Sequence, residues 1–282
     1  MYPISKLDPI DYLVIGHITR DLIPDGSQMG GTASYAALTA HALGLRVGVV
    51  TSWGEELPLN KMADIAIINQ LAQKSTTFEN IYTPNGRYQI IHSIAHPLNE
   101  RSIPESWFAT PIVHLGPVAQ EVSSSLTQYF PNSLIGVTPQ GWLRTWDESG
   151  RVHPKDWEQA SEVLAVSGAA ILSVEDVTED EDTIEKMASS CQVFVVTEGY
   201  FGARVYWHGD VRRMHAPKVV EVDSTGAGDI FAAAFFTQYH KTSDPWESAR
   251  FANVLAAQSV TRTGLASVPT RVEVKNAIIE VL

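Results

Sequence analysis

The feature that most restricts what this chain can fold into is a repeated alternation along its length. Short apolar, β-rich runs are separated by segments with helical spacing, which predicts βαβ units around a mostly parallel sheet. The first run, Tyr12-Leu13-Val14-Ile15, stops at Gly16. A helix is predicted over residues 32–43, where Ala33, Ala36, Ala37, Ala40 and Leu43 share one face. Buried-strand runs then recur at Val47-Gly48-Val49-Val50, Ile112-Val113-His114-Leu115, Leu134-Ile135-Gly136-Val137, Ala170-Ile171-Leu172 and Val193-Phe194-Val195-Val196. Two hairpins interrupt the pattern. One spans residues 76–91 around Pro84-Asn85-Gly86, where Asn-Gly is a tight-turn signal, and the other spans 203–214 around His208-Gly209-Asp210. Beyond Thr225 the chain reads as helix from Ala227, over residues 246–261, and from Arg271 onward. No repeat, low-complexity tract or long linker divides it, so residues 1–282 are expected to form one α/β domain. Residues 21–29 read only as a short loop.

Charge narrows the partners. With 32 acidic against 20 basic side chains, the net charge is −12, which opposes a nucleic-acid-binding face built from clustered Lys and Arg. An anionic ligand must instead be held by backbone amides, a metal ion or a few placed cations. The single cysteine, Cys191, rules out an intrachain disulfide. The longest apolar stretches, such as Ile230 to Phe236, fall far short of the ~20 residues that span a bilayer. Asp8 and Asp11 stand where a secretory leader would be basic and then apolar. The expectation is a cytoplasmic protein with neither nucleic-acid nor membrane partners.

Chemistry concentrates in Val222-Asp223-Ser224-Thr225-Gly226-Ala227-Gly228-Asp229-Ile230-Phe231. The glycines allow backbone to approach a ligand closely, and a helix starting there points unpaired N–H groups outward, the arrangement that holds phosphate or a developing oxyanion. Asp229 in the first turn suits the helix dipole but would repel a passively bound phosphate. Both facts fit a carboxylate that faces a hydroxyl attacking the phosphate and serves as its base. The plainer reading is a helix cap beside a tight turn. A P-loop is excluded by its missing lysine, and a dinucleotide fingerprint by Phe231 and by the position late in the chain. Neither a His-Glu-x-x-His nor a Gly-x-Ser-x-Gly motif is present, and His92 with His96 lies in a strand-like context beside Pro97 that opposes metal-ligand geometry.

The stretch from Asp223 to Asp229 with Phe231 resembles the C-terminal signature of the ribokinase/PfkB carbohydrate kinase family. Gly30-Gly31-Thr32-Ala33 is similar to its second signature, and the likeness continues through Gly16-His17-Ile18-Thr19-Arg20-Asp21, residues 195–203 and residues 252–264. The resemblance implies a three-layer α/β/α fold with a reduced lid. It further implies an ATP- and Mg²⁺-dependent kinase acting on a hydroxyl of a sugar or cyclitol, with K⁺ near the Asp223-Ser224 backbone. Asp229 would then be the catalytic base, and the amides of Thr225, Gly226, Ala227 and Gly228 the anion hole. Asp21, Gly30 and Gly31 would hold the acceptor, and Thr197, Gly199, Gly202 and Asn253 the nucleotide.

Departures from the family pattern redirect the expectation. The Asn-x-x-Glu motif appears as Ser173-Val174-Glu175-Asp176, leaving Ser173 on the nucleotide side and Asp176 to reach the metal through water. Tyr35 stands where ribokinase-type sequences carry a sugar-contacting Asn, which argues against ribose and toward the myo-inositol kinase-like branch. Trp142 and Arg144 follow a strand end and are candidates to face the acceptor or its phosphate. With few residues between Asp21 and Gly30, the lid is expected to be small, contributed by residues 21–29 and the 76–91 hairpin, and the protein a monomer or weak homodimer. The alternatives are a nucleoside kinase, with Trp53 or Trp142 stacking a base, and a non-catalytic relative that binds a nucleotide or metabolite.

Overall fold

A computed structural model describes residues 8–54, 60–83 and 86–281. The strands and helices, in chain order, are β1 (Tyr12–Ile15), β2 (Thr19–Ile23), β3 (Gly26–Gly30), α1 (Thr32–Ala42), β4 (Val47–Trp53), β5 (Ala66–Leu71), β6 (Thr77–Thr83) and β7 (Gly86–Ser93). There follow β8 (Ile112–Leu115), β9 (Leu134–Val137), β10 (Arg144–Trp146), β11 (Val152–Pro154), α2 (Ala160–Val166), β12 (Ala169–Ser173), α3 (Glu181–Ser189) and β13 (Val193–Thr197). The chain closes with β14 (Ala203–Trp207), β15 (Asp210–Met214), α4 (Ala227–Thr242), α5 (Pro245–Ser259) and α6 (Arg271–Val281).

Nine strands form the central sheet in the order β15-β14-β13-β12-β9-β8-β1-β4-β5. Those from β13 to β5 run parallel, and β14 and β15 fold back antiparallel at one edge. One face is covered by α1, α4, α5 and α6. Ala33, Ala36, Ala37 and Ala40 meet Ala232, Ala233, Phe235 and Phe236 there, and the small residues bring the α1 and α4 backbones close. The other face is covered by α2, α3 and 3₁₀ segments around Trp107, Leu126, Phe130, Leu164 and Ile184. Burial of both faces explains why the strands read as continuous apolar runs rather than alternating ones. This is the three-layer α/β/α arrangement expected. The parallel strand ends at Ile15, Leu115 and Val137 come level, and those at Ser173 and Thr197 reach three residues further, so the crevice expected at the carboxyl ends of the sheet has one raised side.

A second sheet, ordered β3-β2-β6-β7, stands over that crevice. It corrects the expectation for residues 21–29. They are not a short loop but most of the β2–β3 hairpin, with Asp21 opposite Gln28, and β2 pairs in parallel with β6 at Asp21↔Phe78. The lid is therefore a four-stranded sheet, built from the two segments expected to supply it. The signal was hidden because β2 and β3 carry no continuous apolar face, and the parallel partner of β2 lies 57 residues downstream. The 76–91 hairpin forms as predicted, though its turn residues Pro84 and Asn85 lie outside the described residues. Buried His17 joins the two sheets. One ring nitrogen is 2.7 Å from Thr76 Oγ1 just before β6, and the other 2.8 Å from the His96 carbonyl.

Candidate active site

The start of α4 is shaped by Asp223 and Gly226. One Asp223 oxygen accepts the Thr225 N–H at 2.9 Å and the other the Gly264 N–H at 3.2 Å, clamping two loops together. Gly226 then adopts φ 80°, ψ −3°, a left-handed conformation natural to glycine, and turns the chain into the helix. The Ala227 N–H is taken by the Ser224 carbonyl at 3.1 Å. Of the four amides expected to form an anion hole, Thr225 and Ala227 are thus already committed. Those of Gly226 and Gly228, joined by that of Asp229, have no partner among the described residues. These three sit at the positive end of a 16-residue helix and can receive a negatively charged oxygen.

Asp229 keeps part of its surface open to the crevice, yet the protein around it is dense. Loss of hydration pushes its carboxyl up to about 6; a hydrogen bond from Thr32, the first residue of α1, opposes this, Asp176 and Asp21 add repulsion, and Arg144 attracts. Asp21 projects from β2 of the lid and is also pushed up to about 6 by burial, against a 2.8 Å hydrogen bond donated by Thr19 Oγ1. Gly30 makes room for it, since a Cβ there would lie 2.0 Å from Asp21 Oδ2. The crevice thus holds two carboxylates titrating near neutrality, one on the lid and one at a helix N-terminus. Such a pair can bind a polyhydroxylated molecule and draw a proton from one of its hydroxyls.

These shifts fix a stability trend. Both carboxyls bind protons more tightly folded than unfolded, so their contribution is greatest below about pH 4 and is lost as pH rises through 6. Thermal unfolding is expected to show Asp21→Asn and Asp229→Asn gaining stability relative to the parent between pH 4 and 7, by about 1–2 kcal/mol each after allowance for partial solvent screening. An identical pH dependence in parent and variants would refute the assignment.

The remaining candidates divide. Asp176 reaches the crevice on a short 3₁₀ turn, where one oxygen accepts the Ser173 N–H at 3.0 Å and the other the Gln140 side-chain N–H at 3.1 Å, in a reciprocal cap with Ser173. Thr197 ends β13 and is 3.4 Å from the Leu172 carbonyl. Gly199 opens the next turn, and Gly202 is pressed against the Met214 carbonyl of the neighbouring hairpin. Asn253 is buried and donates to the Met214 carbonyl at 2.8 Å, tying α5 to β15, so its amide is occupied by structure. Trp142 is buried too, stacked on Trp157 with its ring N–H bonded to the Val122 carbonyl at 2.9 Å, and Trp53 is 9% exposed. Neither presents a stacking face, which removes the basis for base binding by tryptophan. His92 pairs with Glu79 instead of His96. Among the described residues no group of three or more His, Cys, Asp or Glu side chains is arranged to hold a metal by itself, and no helix is long and apolar enough to cross a membrane.

Sequence reasoning passed over Thr32 and Gln140, which set Asp229 and Asp176, and the exposed apolar segment Val219, Val220 and Val222 that leads into the Thr225 turn. A run of valines without strand pairing was the available signal for the last.

Residues 159–271 match the pfkB family carbohydrate kinase domain. A cytidine kinase of Thermococcus kodakarensis is 26% identical over 257 residues, covering 82% of this chain and 89% of that protein. An inositol 3-kinase of Oryza sativa subsp. japonica is 23% identical over 285 residues, covering 93% and 71%. Among solved structures, a pyrophosphate-dependent kinase in the ribokinase family, complexed with a pyrophosphate analog and myo-inositol, superposes with a TM-score of 0.78 at 20% identity, covering 94% of this chain and 99% of that one. The Methanocaldococcus jannaschii nucleoside kinase gives 0.73 at 16% identity, covering 96% and 99%. The fold is therefore that of the ribokinase-type structures. Over residues 159–271 the chain is similar to the pfkB family of carbohydrate kinases.

Proposed function

We propose that this protein transfers the γ-phosphoryl group of ATP to a hydroxyl of a sugar or cyclitol. The observation that carries the reading is the convergence at the start of α4. Asp229, its pKa raised toward neutrality, lies beside the free amides of Gly226 and Gly228, with Asp21 on the lid. Asp21 and the surface opened by Gly30 and Gly31 orient the acceptor, and Asp229 takes the proton of the attacking oxygen. The α4 amides receive charge on the transferred group, and Arg144, whose charge already acts on Asp229, binds the phosphorylated oxygen. The inositol 3-kinase relative and the tyrosine at position 35 support a cyclitol as the first acceptor to test.

For the donor, the exposed Val220 (82%) and Val222 (61%) supply apolar surface on the segment leading into the Thr225 turn that suits an adenine ring. A bare polyphosphate has no use for such a surface. The oxygen donors fit Mg²⁺ held chiefly by donor phosphates, because Asp176 retains lone pairs for a metal-bound water after accepting its two hydrogen bonds. When bound, Mg²⁺ would neutralise charge developing on the phosphoryl oxygens. Thr197, Gly199 and Gly202 would border the donor, with Ser173 shaping the Asp176 turn and Asn253 supporting the strand edge behind it. A K⁺ ion beside the Asp223-Ser224 backbone would reinforce the loop that Asp223 already clamps.

The test is a phosphorylation screen of inositols, pentoses, hexoses and nucleosides, each with ATP·Mg²⁺ and with pyrophosphate·Mg²⁺. The expected result is ATP-dependent phosphorylation of a cyclitol or sugar, with the acid limb of kcat/KM near pH 6 from Asp229. Turnover of nucleosides alone would establish the second reading, which the cytidine kinase relative supports. Donor binding without turnover of any acceptor would establish a non-catalytic relative.

A further inference from the structure

Tyr35 of α1 is 1% exposed, and its hydroxyl has no hydrogen-bond partner. A buried hydroxyl left unpaired is destabilising and calls for an explanation at the site where it occurs. Here the surroundings are acidic. Burial, with the charges of Asp21, Asp229 and Asp223, holds the phenol well above its ordinary range, so it remains a neutral O–H donor throughout physiological pH. Its ring lies directly against Gly226, where a Cβ would fall 2.4 Å from Cδ1 and 2.5 Å from Cε1. One rigid side chain therefore supports the residue that caps α4 and carries a donor among the carboxylates that would hold and deprotonate the acceptor.

We propose that Tyr35 is a positioning residue for phosphoryl transfer. Its ring seats Gly226 and hence the α4 amides, and its hydroxyl gains its missing partner only in the substrate-bound site. The inference rests on the function proposed above. In the free protein the donor is kept unpaired at a cost in stability. When the acceptor engages Asp21 and Asp229, small movements of those carboxylates bring an oxygen within reach of the phenol. Acceptor binding is thereby transmitted through the ring to the backbone that receives the phosphoryl group.

Two variants separate the ring from the hydroxyl. Tyr35→Phe keeps the ring, so its melting temperature should equal or exceed that of the parent. Its kcat on the best acceptor should fall about tenfold, the scale of one hydrogen bond, with the KM for donor unchanged within twofold. Tyr35→Leu removes the support and should lose about 100-fold in kcat. Stability and activity moving in opposite directions in Tyr35→Phe is a result that a purely structural tyrosine cannot give. Tyr35→Phe with parental kcat, or with activity lost in step with melting temperature, would overturn the inference, as would Tyr35→Leu with parental kcat. A parent inactive on every acceptor would overturn the proposed function, and this inference with it, before any variant is measured.

Discussion

Asp229→Asn is expected to lower kcat by ~10²–10⁴-fold, about 3–5 kcal/mol of barrier, without unfolding the protein. The amide has nearly the shape of the carboxylate and can still accept the hydrogen bond from Thr32. What it loses is the capacity to take the proton of the attacking hydroxyl. Above pH 6 it also removes a charge that the crevice holds at a cost, so the variant should be at least as stable as the parent. Steady-state kinetics and thermal unfolding on the same preparations test both halves. A variant retaining near-parental turnover would remove Asp229 from the role of base, whatever its stability.

Gly226→Ala should be nearly as damaging to activity, by another route. The residue is held at φ 80°, where a side chain is strained by about 1–2 kcal/mol, and the added methyl would meet the Tyr35 ring at 2.4 Å. Relief requires the ring or the helix start to shift, at about 1–3 kcal/mol of overpacking. A shift of the helix start moves the free Gly226 and Gly228 amides away from the developing charge. Loss of one such donor costs ~10²–10³ in kcat, so Gly226→Ala should lose that much activity and, unlike Asp229→Asn, also unfold at lower denaturant. Parental turnover in Gly226→Ala would show that the α4 amides do not carry the phosphoryl charge.

The layered fold was legible because strands buried on both faces must be apolar throughout, as in Val193-Phe194-Val195-Val196, and because the Ala-rich face of α1 is a helical period. The glycine turn and Asp229 were legible for a related reason. Few other local sequences place two glycines and an acid around a helix start. The lid was not. Residues Thr19–Ile23 and Gly26–Gly30 carry no hydrophobic face to announce them, and the strand that completes their pairing, Thr77–Thr83, is distant in sequence. Hydrogen-bond ownership was equally hidden. No local pattern reveals that Asn253 is spent on Met214, that Trp142 turns inward onto Trp157, or that only some of the turn amides remain free. The first two are settled by partners 39 and 15 residues away in the chain, the third by the particular fold of the turn itself.

Asp229 and the free α4 amides should converge on one travelling phosphoryl group. A crystal structure of the protein with its best acceptor, ADP, Mg²⁺ and aluminium fluoride tests it most directly. The expected structure has a planar fluoride between ADP and an acceptor oxygen. That oxygen should lie within hydrogen-bond distance of Asp229, and the fluorides within the same distance of the Gly226 or Gly228 N–H. A fluoride bound away from α4, or an acceptor whose hydroxyls all face away from Asp229, would contradict it.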